Sequence, residues 1–239
     1  ESAGTGRFPF CQRGQGDSQV KGSASELLLQ AATEIKIFLS DSQVEKFALY
    51  LAELKEWNKK INLTALKTDR EIISKHFIDS LTPLPLIPPH SHVMDIGSGA
   101  GFPGIPLKIA NPGFSITLVE AREKKAFFLR HIIRTLGLQD IRAERLHLDP
   151  DMAQGLQWRE KFDAVISRAA FDLKIFLDLS RFVLKENGYA IAMKGPQVQE
   201  EIDAVAHDAR LQVFHLANNL EIILPVTHER RRLVVYRRI

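Results

Sequence analysis

The stretch Val93-Met94-Asp95-Ile96-Gly97-Ser98-Gly99-Ala100-Gly101-Phe102-Pro103-Gly104 constrains the fold more than any other part of this sequence. A short apolar run ends in an acid, enters a turn with three alternating glycines, and meets prolines suited to the first turn of a helix. Glycine is needed where the backbone takes positive φ, or where a ligand presses on the chain with no room for a Cβ. The helix behind such a turn presents unpaired N–H groups that favour a carboxylate or phosphate. A strand, a glycine turn and a helix in this order are the opening of a doubly wound α/β sheet.

The surrounding pattern agrees. After His92, short apolar runs recur at Val93–Ile96, Ser115–Val119, Ile141–Leu146, Phe162–Ile166, Tyr189–Met193, Leu211–Leu216 and Leu233–Tyr236. Amphipathic stretches such as Lys124–Leu136 and Leu173–Leu184 lie between the earlier ones. This alternation predicts a parallel sheet with helices on both faces. No convincing helix separates the last two runs, so they are expected to pair antiparallel. Upstream, Ser25 to about Leu81 reads as helical. One stripe is Leu28, Ala31, Ala32, Ile35 and Phe38/Leu39. Ser40 and Gln43 have capping-box spacing before a second stripe of Val44, Phe47, Leu51, Leu54 and Ile61. Ile72, Ile73, His76, Phe77 and Leu81 suggest a third helix, and Pro83, Pro85, Pro88 and Pro89 close the run. The expected organisation is a disordered leader or added segment over 1–24, a helical extension over 25–89 and the α/β domain over 90–239.

Two cofactor classes use a loop of this kind. Gly99-x-Gly101-x-x-Gly104 matches the dinucleotide fingerprint literally, yet the first glycine belongs at the strand-to-helix turn, which here is Gly97. Counted from Gly97, the third fingerprint position is Phe102. An acid at the strand end just before G-x-G-x-G, here Asp95, is instead the pattern of S-adenosylmethionine-dependent methyltransferases, where it can help hold the ligand's amino group. Gly97, Gly99 and Gly101 then become cofactor-binding candidates. Glu120 ends the second strand, where an acid can accept both hydroxyls of an adenosine ribose. Leu148 and Asp149 follow the third strand, where an N–H and an acid recognise an adenine edge; Asp151 has equally suitable spacing.

Composition narrows the chemistry. The 239 residues are 45% hydrophobic and 26% charged, as in ordinary globular proteins, and no apolar run is long enough to span a bilayer. The formal net charge of +3 permits a polyanionic partner without requiring one. Cys11 is the only cysteine, which fits a reducing cytoplasm and leaves no Cys-based metal site. Its place in the leader also argues against methylation at C5 of a pyrimidine, which needs a cysteine nucleophile. Ser167-Arg168-Ala169-Ala170-Phe171 stands where exocyclic-amine methyltransferases carry Asn/Asp-Pro-Pro-aromatic. Arg168 also occupies the place of the acid used for ribose methylation. What remains is a nucleophile that attacks without losing a proton, and guanine N7 fits.

At this point the chain resembles the bacterial small-subunit ribosomal RNA guanine-N7 methyltransferases, the glucose-inhibited division protein B family. The resemblance covers about Phe38 to Arg237. It is carried by Trp57-Asn58-Lys59-Lys60-Ile61-Asn62-Leu63-Thr64, Lys75-His76-Phe77-Ile78-Asp79-Ser80-Leu81, the loop ending Phe102-Pro103-Gly104, Ser167-Arg168-Ala169 and Lys194-Gly195. It implies a seven-stranded sheet with an antiparallel final strand and S-adenosylmethionine as cofactor. It also implies a 16S ribosomal RNA substrate and cofactor contacts at Gly97, Phe102, Leu148, Asp149 and Arg168. The usual Arg-x-Glu after strand three here reads His147-Leu148-Asp149, with a short insertion nearby. Arg168, Asn62 and His76 are expected to position the reacting groups, with no general base. Lys59, Lys60, Lys194, Arg231 and Arg232 are expected to meet RNA phosphates, with Arg230 in the same cluster, and neither metal nor membrane is expected. Trp57 is read as core more than as a base-stacking platform. The alternatives are a non-catalytic RNA-binding module retaining the cofactor pocket, a small-molecule or protein methyltransferase, and a dinucleotide oxidoreductase.

Overall fold

A computed structural model describes residues 16–149 and 158–239, with backbone alone for 16–23. Helix α1 spans Gly16–Glu34, so nine residues of the segment expected to be unstructured are helical; Cys11 and Asp151 lie outside the described residues. Ser40 and Gln43 form the expected reciprocal cap of α2 (Asp41–Asn58), an arrangement that stabilises a helix end by about 1 kcal/mol. Val44, Phe47, Leu51 and Leu54 are buried on one face of α2, together with Tyr50. Phe38 departs from the expected stripe: it is 83% exposed, while Ile37 turns inward after the helix has ended.

The third helical run begins with α3 (Asp69–Ile72), continues as a π-helical segment (Ile73–Ile78) and ends in α4 (Asp79–Leu81). A second capping box, Thr68 with Glu71, starts it. The signal was present in the sequence as Thr-x-x-Glu. A π segment inside an α-helical run is rare and shifts the phase of the side chains that follow. Here it carries Lys75 and His76.

The sheet comprises β1 (His92–Ile96), β2 (Ser115–Glu120), β3 (Ile141–Arg145), β4 (Phe162–Arg168), β5 (Leu184–Lys194), β6 (Phe214–Ile223) and β7 (Arg230–Arg238). Their order is β3-β2-β1-β4-β5-β7-β6. The first five are parallel, and β7 pairs antiparallel with both β5 and β6. This is the expected seven-stranded doubly wound sheet. Helices α5 (Gly104–Ala110), α6 (Glu123–Thr135), α7 (Leu173–Val183) and α8 (Gln199–Ala206) complete the layers; α8 was not anticipated from the sequence.

One apolar core joins Leu28, Phe47, Leu54, Phe77 and Leu81 of the helical extension to Val93, Ile116, Ile166 and Val235 of the sheet. The extension therefore covers one sheet face, and its core is continuous across the boundary expected at 89/90. A second core, with Met94, Val165, Phe176 and Leu177, fills the other face. Strand order reverses between β1 and β4, and ligands of open α/β sheets bind outside the carboxyl ends of the strands at such a point.

Candidate active site

A cavity of about 600 Å³ opens at that reversal, within the size range of cofactor sites. Its floor is the glycine loop. The amides of Gly97 and Ser98 both donate to the Val119 carbonyl on β2, which draws the turn against the neighbouring strand. Gly97, Gly99 and Gly101 all have positive φ, at 77°, 59° and 103°. They differ in what surrounds them. A Cβ on Gly97 would come within 2.6 Å of the Ala170 Cβ, and one on Gly101 within 2.5 Å of Ile105 and 2.8 Å of the Tyr50 hydroxyl. A Cβ on Gly99 would meet nothing closer than 3.9 Å and would project into the cavity. Gly101 thus serves packing and stands outside the cavity lining, Gly97 lines the cavity while packing closely on Ala170, and Gly99 keeps open a space that a ligand can fill.

Glu120 lines the cavity at the end of β2. Its Oε2 accepts the Gly99 amide at 2.9 Å and its Oε1 accepts the Arg122 amide at 2.8 Å. Two backbone donors fix the carboxylate and leave acceptor capacity on both oxygens. Leu148 lines the cavity, whereas Asp149 is not among the lining residues; Leu146, His147, Arg122 and Lys125 are. An open place at Gly99, a carboxylate fixed at the end of β2 and a cavity of this size fit S-adenosylmethionine.

Asp95 corrects an expectation. It is fully buried and stands outside the cavity lining, with Oδ2 accepting the Gly104 amide at 2.9 Å. Its carboxylate lies behind the loop, tying the first turn of α5 to β1. Burial raises its pKa to about 7. A Cβ on Gly104 would strike Leu118 at 2.3 Å and Asp95 Oδ2 at 2.9 Å, so this glycine lets helix and sheet approach.

The opposite wall is made of side chains. Phe102 stacks on His76 with centroids 4.4 Å apart and, on its other contacts, on Tyr50 at 5.5 Å. Tyr50 donates to the Ala100 carbonyl at 2.5 Å, so α2 grips the glycine loop directly. Arg168, at the end of β4, places its guanidinium carbon 5.0 Å from the Phe102 ring centre. Its Nη1 donates to the Lys75 carbonyl at 2.8 Å and pairs with Asp79 at 3.4 Å; its Nη2 lies 2.9 Å from His76 Nδ1. A guanidinium has only donors, so Nδ1 must be the acceptor and the ring proton sits on Nε2. That proton faces the Thr64 hydroxyl at 2.7 Å. Burial, with Arg168 adding to it, lowers the His76 pKa to about 3. His76 is therefore neutral at working pH, and its basic nitrogen is occupied.

The remaining expected residues divide. Asn62 is exposed and outside the cavity lining; its neighbour Leu63 lines the cavity instead. The loop is organised by Asn58, whose Oδ1 accepts the amides of Leu63 and Thr64 and whose Nδ2 donates to the Thr64 carbonyl. Both asparagines lie in the same sequence motif, and only the backbone path distinguishes them. Trp57 packs on Phe127, Phe128 and His131, as expected of a core residue. Lys194 is turned inward at 12% side-chain exposure, bonded to Glu201 and to the Phe171 carbonyl, so it does not present a free cation. Arg231 pairs with Asp79 and Glu229, and Arg232 and Arg230 both pair with Glu221. Each arginine of the cluster is thus partnered by an acid: Arg230 and Arg232 by Glu221 of β6, and Arg231, on the other sheet face, by Asp79 of α4 and by Glu229. Lys59 is exposed and paired with Glu56, while Lys60 is exposed without an ion pair among the described residues. Among those residues there is also no group of three or more potential metal ligands, and no helix long and apolar enough to cross a membrane.

Comparison with solved structures places this architecture among methyltransferases. A SAM-dependent methyltransferase from Aquifex aeolicus superposes with a TM-score of 0.54 at 16% identity, covering 79% of this chain and 98% of that one. A methyltransferase from Geobacter sulfurreducens gives 0.54 at 12% identity over 80% and 90%. At such identities the likeness speaks for the fold. Sequence relatives go further. The ribosomal RNA small subunit methyltransferase G of Desulforamulus reducens is 40% identical over 214 residues, 89% of each chain. That of Geotalea uraniireducens is 40% identical over 217 residues, 91% of this chain and 98% of its own. The GidB family model, described as rRNA small subunit methyltransferase G, matches residues 43–231. A match of that extent, over a cavity whose glycine loop and strand-end acid suit the cofactor, makes this chain a member of the GidB, or rRNA small subunit methyltransferase G, family.

Proposed function

We propose that this protein methylates N7 of a guanine in 16S ribosomal RNA, using S-adenosylmethionine. When bound, the cofactor supplies an electrophilic methyl group on a sulfonium sulfur. On the chain's side, Gly99 leaves room for it, Glu120 accepts the ribose hydroxyls and Leu148 borders the adenine position. Phe102, His76 and Arg168 form the wall facing the substrate.

The observation that carries the reading is the occupied nitrogen of His76. Guanine N7 offers a lone pair and has no proton to lose, so the enzyme needs orientation more than a base. A neutral imidazole whose Nδ1 is bonded to Arg168 cannot serve as a proton acceptor, but it can present a rigid face. The stacked column of His76, Phe102 and Tyr50 supports that face from behind. A preorganised neutral wall tolerates the purine as it becomes cationic.

For the RNA, the cations at the mouth matter more than the arginines of β7. Arg122 and Lys125 line the cavity and form no ion pair among the described residues, and Lys60 precedes Leu63 on the rim by three positions. These free cations can meet phosphates on either side of a guanine that enters the cavity. Such a substrate places the protein in the cytoplasm, on naked RNA or on a small subunit.

Nucleoside analysis of small-subunit RNA incubated with protein and cofactor tests the reading. The expected product is N7-methylguanine at one position, cleavable after borohydride and aniline treatment. Single-turnover rates should be flat from about pH 6.5 to 9. Methyl groups elsewhere, or rates that climb log-linearly with pH, would overturn it.

A further inference from the structure

Arg231 lies outside the cavity lining, yet its contacts lead directly to it. Its Nε is 3.5 Å from Asp79 Oδ2, the same oxygen that pairs with Arg168 Nη1 at 3.4 Å. Asp79 is 3% exposed, and its Oδ1 has no hydrogen-bond partner among the described residues. A carboxylate this deeply buried is tolerated only with counter-charges in place.

The turn that delivers Arg231 is itself fastened to the segment bearing His76. Ser74 Oγ donates to the Pro225 carbonyl at 2.7 Å and lies 2.9 Å from the Thr227 hydroxyl. Arg70 donates to the Val226 carbonyl at 3.1 Å, and Lys75 pairs with Glu229 at 2.6 Å. Val226 and His228 have φ of 74° and 56°, a left-handed conformation that side-chain-bearing residues adopt rarely and that persists when surrounding contacts hold it. Glu229 then accepts from Arg231 Nη2 at 2.6 Å.

We infer that Arg231 is a positioning residue: through the carboxylate it shares with Arg168 at Asp79, it holds the Arg168 guanidinium against His76 and over the Phe102 ring. The inference rests on the catalytic reading of that wall. It assigns the β6–β7 turn to the active site rather than to a phosphate-binding surface. Arg168 cannot keep its donor directed at His76 Nδ1 unless Asp79 stays ionised and in place. Two arginines oppose the effect of burial on Asp79, which on its own raises the carboxyl pKa. Among the described residues no other cation takes their place. Lys75 is held off by Glu229, and Lys108 of α5 donates to the Pro112 and Phe114 carbonyls. Asp95 of β1 and Tyr50 of α2 act on Arg168.

The test uses the full chain with 15N-labelled histidine, His76 being identified by its loss in His76→Asn. In the unsubstituted protein His76 should show an unprotonated Nδ1 and a protonated Nε2, unchanged from about pH 5 to 9. In Arg231→Met the two nitrogens should move toward a tautomer mixture. The single-turnover methylation rate should fall roughly ten- to a hundredfold, with cofactor affinity changed less than about twofold. The acid limb of activity should move to higher pH, because removing a cation raises the Asp79 pKa. Arg231→Lys should restore the tautomer and most of the rate. If Arg231→Met does not fold, Arg231→Gln carries the same measurements. A folded variant whose His76 spectrum matches the unsubstituted protein overturns the inference whatever its activity. Unsubstituted protein that does not methylate RNA overturns the functional reading, while the tautomer measurement still decides the role of Arg231.

Discussion

The two walls of the cavity are built on opposite principles. On the β1–β2 side the working surface is backbone: positive-φ glycines, amides donating to Val119, and one carboxylate fixed by two N–H groups. On the β4 side it is side chain: Arg168, His76 and Phe102, ordered by Asp79 and Arg231 from distant parts of the chain. A backbone wall is set by local dihedral angles and resists substitution nearby. A side-chain wall depends on every partner, and removal of one exposes the others to an unpaired charge. The first wall suits a cofactor with a fixed shape. The second suits a reaction in which charge moves.

The sharpest way to break the contrast is Arg168→Met. It leaves the buried Asp79 with Arg231 alone and His76 without its donor, so folding stability should drop by about 3–5 kcal/mol and methyl transfer should be abolished. Chemical denaturation checks the first effect; a loss below about 1 kcal/mol would show that the wall is not held by this charge.

Asp95 tests the backbone wall from behind. Its folded pKa of about 7 lies above the unfolded value of roughly 3.9, so between those values the folded state holds a proton that the unfolded state has lost. Stability from this group is full below about pH 4 and is lost as pH rises toward and through 7. Asp95→Asn keeps an oxygen for the Gly104 amide and should lack that slope, by as much as a few kcal/mol across the window. Parallel stability–pH curves for the two proteins would refute the assignment.

Glu120→Ala should weaken cofactor binding by about 1.5–3 kcal/mol, ten- to over a hundredfold, as measured by calorimetry. Gly99→Ala belongs beside it. The added methyl meets open cavity rather than protein, so cofactor affinity should fall while stability drops by only about 1 kcal/mol for the left-handed backbone. Affinity unchanged in both would remove the cofactor from this floor. The smallest effect is expected of Tyr50→Phe. Losing the bond to the Ala100 carbonyl should cost about 1 kcal/mol in stability with the ring stack intact.

Legibility in the sequence followed the same division. The Ser40–Gln43 cap, the strands around the loop and the antiparallel last pair were all readable, because capping, alternation and turn chemistry act between near neighbours. The positions of Gly99 and Glu120 on the cavity floor follow from strand register, which the apolar pattern sets. The side-chain wall was readable only as a set of names. Arg168 and His76 were each named, with Asn62, as positioning residues, but the hydrogen bond that pairs the two spans 92 positions of chain. Arg231, Arg232 and Lys194 looked like free cations because their acids, Asp79, Glu221 and Glu201, could not be matched to them by spacing. Asn62 was singled out and Asn58 was not, because the path of the loop, which makes Asn58 its organiser, could not be seen in the motif.

By itself, then, the sequence determined the doubly wound sheet, the glycine floor with Glu120, and the absence of any cysteine besides Cys11. These depend on residue type and on interactions within one or two elements. Tertiary structure alone decided that Asp95 faces inward, that the β7 arginines are spoken for, and that His76 is a neutral acceptor for Arg168. A long charged side chain can reach any of several partners. The partner it finds is fixed only when strands and helices far apart in the chain are packed together and burial makes an unpaired charge too costly to keep.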